Sequence, residues 1–335
     1  MSLEKITLQF NSAIQTVDPN GSMLRCIGSN NIGLEFKGKL FGVLPRWEDL
    51  GTHDNSNVER QYFQWTDNQL YYVVLERSWT GTGTHTICIR KANGNTLIGT
   101  VESGNVLCFG PSMIVRNNIC YVFYTGPNAV QNSLRYRTST DLVTWSAPVT
   151  AFTETIATAR CWNTSVTYNT TTSQWIVALE RNDTTVSGGG FWVDTIGSYD
   201  GITWARYGDM RVGPYAACPT IRYNAAANKF YFMYLQDIGS GNPRYVTRLA
   251  SLGPTCTAAS LDFSAKPFVV SSGVDGTNGS DVDFCEVTDP QTGLKLVLVN
   301  WGNGDQVSWG EVRLWAFHGS LVDLYAYFDY LITTF

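Results

Sequence analysis

The carboxylates and arginines of this chain recur at one kind of place. Glu59-Arg60, Glu76-Arg77 and Glu180-Arg181 are adjacent pairs at the ends of apolar runs, and Asp281, Asp283 and Glu286 crowd into the stretch DVDFCE. Two carboxyl groups, one protonated and one ionised, are the equipment for general acid-base or nucleophilic work, and arginine forks bind hydroxyls or carboxylates. Adjacent strand residues point to opposite faces, so one member of each Glu-Arg pair faces any shared site; structural pairing with a neighbour is the alternative for each Glu. In a chain with only 15% charged residues, such a collection is more than a solubility coat.

Other chemistries find less support. The three histidines are scattered and the eight cysteines form no CxxC pair, so no zinc site, redox motif or other cofactor is expected, and the cysteines read as buried free thiols. A net charge of -5 leaves no basic face for nucleic acid. No apolar stretch has the length of a membrane span and MSLEKITLQF lacks the core of a secretory signal, so synthesis in a reducing cytoplasm without membrane association is the expectation, with a virion-associated destination left open.

The elements that position these residues come from an internal repeat. An apolar, β-branched and aromatic run occurs five times: LYYVVLER (70–77), ICYVFYTG (119–126), QWIVALER (174–181), FYFMYLQD (230–237) and LKLVLVNW (294–301). A shorter strand and a polar turn precede each, as NN in PSMIVRNNICYVFY, and a third strand follows, then in several units a fourth. Four strands repeated five times define an all-β, five-bladed β-propeller with four-stranded blades, preferred over a pair of β-sandwiches. The expected blades cover 58–105, 106–158, 159–213, 214–272 and 273–335, with 1–57 closing the ring. The last unit lacks a fourth strand, which an N-terminal strand supplies. Helix is confined to SLVDLYAYFDYLI (320–332), with Leu321, Leu324, Tyr325 and Phe328 on one face and Ser320 as its cap.

Two turns, STDLVTW (139–145) and SYDGITW (198–204), occupy the same place in consecutive units. With the five units and the final DVDFCEVTDPQTGLKLVLVNWGNG, they give the chain over residues 58–330 a resemblance to the five-bladed glycoside hydrolases of the arabinanase, xylosidase and invertase type, and more distantly to sialidases. The resemblance implies a glycosidase with carboxylates projecting into a central funnel from the inner strands of different blades. Two places depart from the family pattern: VERQYF stands where the arabinanase type has an aspartate before a proline, and CWNTS where an acidic residue is common.

Strand polarity selects the candidates. Each inner strand begins on the face where the second strand ends, so that face collects Glu59, Arg60, Arg160, Trp162, Asn163, Asp281, Asp283 and Glu286, together with Arg77, Glu180, Arg181 and Trp301. Glu59, Glu180, Asp283 and Glu286 are the catalytic candidates: Asp283 or Glu59 as base or nucleophile, Glu180 or Glu286 as acid. Either Asp281 and Asp283 or Glu286 faces the funnel, unless a bulge intervenes. Asp54 in the polar loop WEDLGTHDNSNVERQYF, Arg60, Arg77, Arg160, Trp162, Asn163, Arg181, Asp281 and Trp301 are the substrate-binding candidates. Three converging arginines admit a sialidase-like enzyme acting on an acidic sugar. Thr-, Asn-, Ser- and Gly-rich loops admit instead a propeller that binds oligosaccharide or polysaccharide without cleaving it, such as a phage receptor-binding or virion-decorating module.

Overall fold

The computed structural model describes residues 16–17, 22–26, 31–36, 39–54, 59–76, 85–105, 108–126, 131–183, 190–212, 216–237, 245–256, 266–267, 278–288, 293–304 and 309–334. An N-terminal set contains β1 (Thr16–Val17), β2 (Ser22–Cys26), β3 (Asn31–Phe36) and β4 (Lys39–Asp54). The first blade is β5 (Arg60–Gln64), β6 (Leu70–Glu76), β7 (His85–Lys91) and β8 (Thr96–Asn105), and the second is β9 (Phe109–Arg116), β10 (Ile119–Thr125), β11 (Ser133–Ser139) and β12 (Val149–Thr153). The third is β13 (Ala159–Asn169), β14 (Gln174–Asp183), β15 (Gly190–Ser198) and β16 (Ala205–Val212); the fourth is β17 (Ala216–Asn224), β18 (Lys229–Asp237), β19 (Tyr245–Leu252) and β20 (Lys266–Pro267). The fifth takes β21 (Asn278–Thr288), β22 (Lys295–Gly304) and β23 (Trp309–His318) from the end of the chain and β4 from its beginning, paired antiparallel to β23 from His318↔Arg46 to Val312↔Asp54. The protein is thus a five-bladed propeller.

The apolar runs are continuous because both faces of every blade are covered. Cys120, Val122 and Tyr124 of β10 pack with first-blade residues such as Val73 and Ile89, whereas Phe123 packs with Val177 and Leu179 of the third blade. In β14, Trp175, Val177 and Leu179 face the second blade while Ile176 and Ala178 face the fourth. Five apolar clusters fill the five junctions in this way. Full burial of each large side chain contributes on the order of 2 kcal/mol, so the blade interfaces carry the stability of the ring.

Buried polar latches tie the same junctions together. The Gln61 amide bridges to Met113 by accepting from its N–H at 2.7 Å and donating to its carbonyl at 3.1 Å, and Thr164 Oγ1 donates to Gly110 O at 2.7 Å. Ile221 N donates to Ser165 Oγ at 3.0 Å, Thr220 Oγ1 bonds Val282 O, and Asn300 Nδ2 closes the circle on Arg60 O at 3.1 Å.

The two aspartate turns are built alike. Asp141 Oδ1 accepts from Val143 N and Thr144 N at 2.9 and 2.7 Å, and Asp200 Oδ1 from Ile202 N and Thr203 N at 2.8 and 2.7 Å. Leu142 and Gly201 hold the left-handed position between them, at φ 64° and 73°. Helix α1 (Leu321–Thr334) starts at Ser320, whose hydroxyl accepts from Asp323 N, and lays Leu324, Tyr325, Phe328 and Ile332 against the junction of the fourth and fifth blades.

Candidate active site at the propeller axis

The inner strands deliver residues to the axis through a shared irregularity. In β9, β13, β17 and β21 the pairing slips so that two residues stand opposite one: Gly110 and Pro111 against Tyr124, Trp162 and Asn163 against Glu180, Cys218 and Pro219 against Tyr234, Asp281 and Val282 against Trp301. Such bulges re-aim side chains at the end of a strand. The two that precede prolines, Gly110 and Cys218, take left-handed backbone at φ 52° and 47°. A side chain at Gly110 has no room, since its Cβ would lie 2.2 Å from Asn163 Cα.

Glu59, Arg60, Gln61, Gly110, Asn163, Cys218, Val282 and Asp283 are among the residues lining the resulting funnel, a half-open cavity of about 30 Å³. Glu59 Oε2 accepts from Gly110 N at 2.8 Å. Glu180, only 3% exposed, accepts from Cys218 N at 2.7 Å and Asn163 Nδ2 at 2.9 Å, both donors belonging to lining residues. Two carboxylates from the first and third blades are therefore each held by the amide of a bulge residue in the following blade. Asp283 bonds the Arg222 guanidinium and accepts from Phe284 N at 2.7 Å. Burial drives its carboxyl above the usual range, against the opposing pull of Arg222. Arg60 is buried with its guanidinium 4.8 Å over the Tyr72 ring.

The site thus brings together Glu59, Arg60, Asn163 and Asp283, with Glu180 behind Asn163 and Cys218. The bulge at Asp281 and Val282 is what admits Asp283. Glu286 stands elsewhere: it binds Lys295 Nζ at 2.7 Å and Leu321 N at 2.6 Å, where its charge complements the N-terminus of α1. The sequence expectation of Glu286 as a funnel acid is corrected by these contacts.

Nor do the arginines converge. Arg181 faces the second blade, as the alternation in β14 requires, and pairs with Glu154 at 3.1 Å and Asp194 at 2.7 Å, all three buried, with Arg206 completing the cluster. Arg160 turns to the carbonyls of Ala157 and Ala159 at 3.2 and 3.1 Å. A clamp of Arg60, Arg160 and Arg181 is absent among the described residues. Trp162 lies beside the funnel, its ring 4.8 Å from that of Phe109. Asp54 belongs to the end of outer strand β4 rather than to a loop, because the pairing with β23 extends that far. Arg77 lies outside the described residues, as do the side chains of Asp54, Asp281 and Trp301. Arg222 escaped sequence reasoning; a lone cation inside the inner strand AACPTIRYN was the available signal. Cys88, Cys108, Cys120, Cys161, Cys218, Cys256 and Cys285 are free, and all of these but Cys218 and Cys285 are buried. No group of described His, Cys, Asp and Glu residues has the arrangement of a metal site.

Five four-stranded blades around an axial funnel give the chain the fold of the arabinanase-type glycoside hydrolases of known structure. No protein-family sequence model and no curated protein sequence matches the chain. Solved structures share its fold. An α-L-arabinanase of Penicillium chrysogenum complexed with arabinobiose is 11% identical, with 90% of this chain and 91% of that one covered at a TM-score of 0.51. An α-L-arabinofuranosidase of Fusarium graminearum in complex with an iminosugar inhibitor gives 11%, 90%, 91% and 0.53. An N-acetylgalactosamine deacetylase of F. plautii in complex with blood group B trisaccharide gives 13%, 82%, 92% and 0.55.

Proposed function

We propose that this propeller is a glycoside hydrolase-like protein that cleaves a glycosidic bond at the mouth of the funnel. The observation that carries the reading is the convergence of Glu59 and Asp283 on the funnel from the first and fifth blades, with Glu180 of the third blade behind the wall residues Asn163 and Cys218. Glu59 serves as base or nucleophile, since the Gly110 N–H donor binds a carboxylate more strongly than a neutral acid. Asp283, whose proton burial favours, assists the leaving group. Glu180 positions the wall residues Asn163 and Cys218, and Arg60 binds a hydroxyl. The architecture shared with enzymes crystallised with arabinobiose supports a sugar ligand.

The test is a hydrolysis screen with aryl glycosides, arabinan, xylan, β-1,2-mannan and blood group oligosaccharides, run with Glu59→Gln, Glu180→Gln and Asp283→Asn variants. Turnover reduced by at least about a hundredfold in Glu59→Gln and Asp283→Asn is the expected outcome. Unaltered turnover in both removes these residues from the chemistry. A second reading, glycan binding without cleavage, is favoured by the small volume of the funnel, about 30 Å³. Binding by the parent protein with no turnover on any substrate would establish it, and a phage receptor-binding or virion-decorating role falls under that reading.

A further inference from the structure

Arg222 ties the inner strands of three blades together. It follows the bulge of β17 at Cys218 and Pro219, and its guanidinium reaches both neighbouring blades: Nη1 donates to Ser165 Oγ of β13 at 2.9 Å and to Ile221 O at 2.8 Å, while Nη2 bonds Asp283 Oδ1 of β21. Ser165 is itself fixed, because its hydroxyl also accepts from Ile221 N at 3.0 Å. An arginine fork holds several such anchors at once in one geometry. Little water reaches the pair. Asp283 is 7% exposed, and the guanidinium carbon of Arg222 lies 5.5 Å over the ring of Phe284, which packs on Tyr325 and Phe328 of α1. Asp283 lines the funnel and Arg222 does not.

A carboxyl that lends a proton must afterwards carry the charge left behind. Burial pushes the Asp283 carboxyl above the usual range, and burial alone would hold the proton too firmly to give. The Arg222 charge and the Phe284 amide pull the other way. Among the described residues Arg222 is the one cation paired with Asp283. Of the other groups near the pair, the Cys285 thiol and the Tyr325 phenol are driven upward by burial and stay neutral, and Glu286 is engaged by Lys295 and the first amide of α1. Glu59 and Arg60 share the funnel lining, with Glu59 on Gly110 N and Arg60 over the Tyr72 ring. We infer that Arg222 is the positioning residue of the funnel acid: from outside the lining it fixes the Asp283 carboxyl in the wall and supplies the counter-charge when the proton passes to the glycosidic oxygen. The inference rests on the reading of Asp283 as the proton donor.

The experiment follows the Asp283 carboxyl carbon by NMR through a pH titration of the parent, Arg222→Gln and Arg222→Lys, with the signal assigned by its loss in Asp283→Asn and thermal unfolding recorded for each. The expected result is a midpoint raised by about one pH unit or more in Arg222→Gln and largely restored in Arg222→Lys, which keeps the charge. On any glycoside the parent cleaves, the basic limb of kcat/KM moves upward with it. An unchanged midpoint in folded Arg222→Gln, or a rise that lysine leaves undiminished, overturns the inference. Should Arg222→Gln not fold, the parent decides: the Arg222 guanidinium nitrogens must titrate with the Asp283 midpoint and lose that response in Asp283→Asn, and a flat signal overturns the inference. The carboxyl titrates whether or not a glycoside is turned over, so the cleavage reading fails separately, through undiminished turnover in Asp283→Asn.

Discussion

Glu180 accepts the main-chain amide of Cys218 at 2.7 Å across the junction of the third and fourth blades, and Cys218 adopts left-handed backbone, φ 47°, where it gives that bond. The carboxylate is part of the scaffold as well as of the site. Glu180→Gln keeps an acceptor and is expected to fold as the parent does. Glu180→Ala strands the Cys218 and Asn163 donors and is expected to cost about 2 kcal/mol. Denaturant unfolding of the two variants checks this; equal stabilities would show that the bond holds nothing in place.

Gly110 mirrors Cys218 in conformation but not in tolerance. With Asn163 Cα 2.2 Å from the Cβ position and φ at 52°, Gly110→Ala must push the second and third blades apart. A loss of about 3 kcal/mol in urea unfolding is expected. A variant within about 0.5 kcal/mol of the parent would mean that the junction yields freely.

Arg181 offers the contrasting case of an arginine committed to structure. Arg181→Met takes the buried cation away from the buried Glu154 and Asp194 and leaves them beside the half-exposed Arg206, and a loss of about 3 kcal/mol or more is expected. Arg181→Lys should recover only part of it, because lysine has a single nitrogen where Arg181 reaches Glu154 with Nη1 and Asp194 with Nε. Full recovery with lysine would show that charge alone suffices.

The aspartate turns set an acid limit. The amides of Thr144 and Val143 hold the Asp141 carboxyl down at about 2 from its ordinary 3.8, and those of Thr203 and Ile202 hold Asp200 below the usual range. A depressed folded value stabilises the protein above the ordinary carboxylate pKa, and that contribution disappears as pH falls through the folded value. Between pH 4 and 2 the parent should therefore lose stability more steeply than Asp200→Asn. Superimposable acid profiles, or an Asp141 carbon resonance titrating near 4, would contradict the assignment.

The ring was legible in the sequence because strands buried on both faces must be apolar throughout, and the five runs announce themselves by composition. The fate of individual charged residues was less so. Alternation along QWIVALER does assign Glu180 to one junction and Arg181 to the other, once Trp175 and Ile176 are assigned. In the inner strands a bulge resets the alternation, so period-two counting could not choose between Asp283 and Glu286. Gly110-Pro111 and Cys218-Pro219 are the local marks of two bulges; Trp162-Asn163 carries no such mark. Partners distant along the chain, such as Glu154 for Arg181 or Leu321 N for Glu286, leave no local signature.

The seam between β4 and β23 gives the fold a temporal order. The ribosome delivers β4 early, yet the strand that pairs with its free edge, from Val312 opposite Asp54 to His318 opposite Arg46, emerges only when four blades already exist. Until then the nascent chain carries an unsatisfied row of backbone amides and carbonyls, open to pairing with another molecule. Closure has the long sequence separation that makes folding slow. Only a polypeptide extended past His318 hides that edge, so ring closure works as a molecular test of how far translation has run.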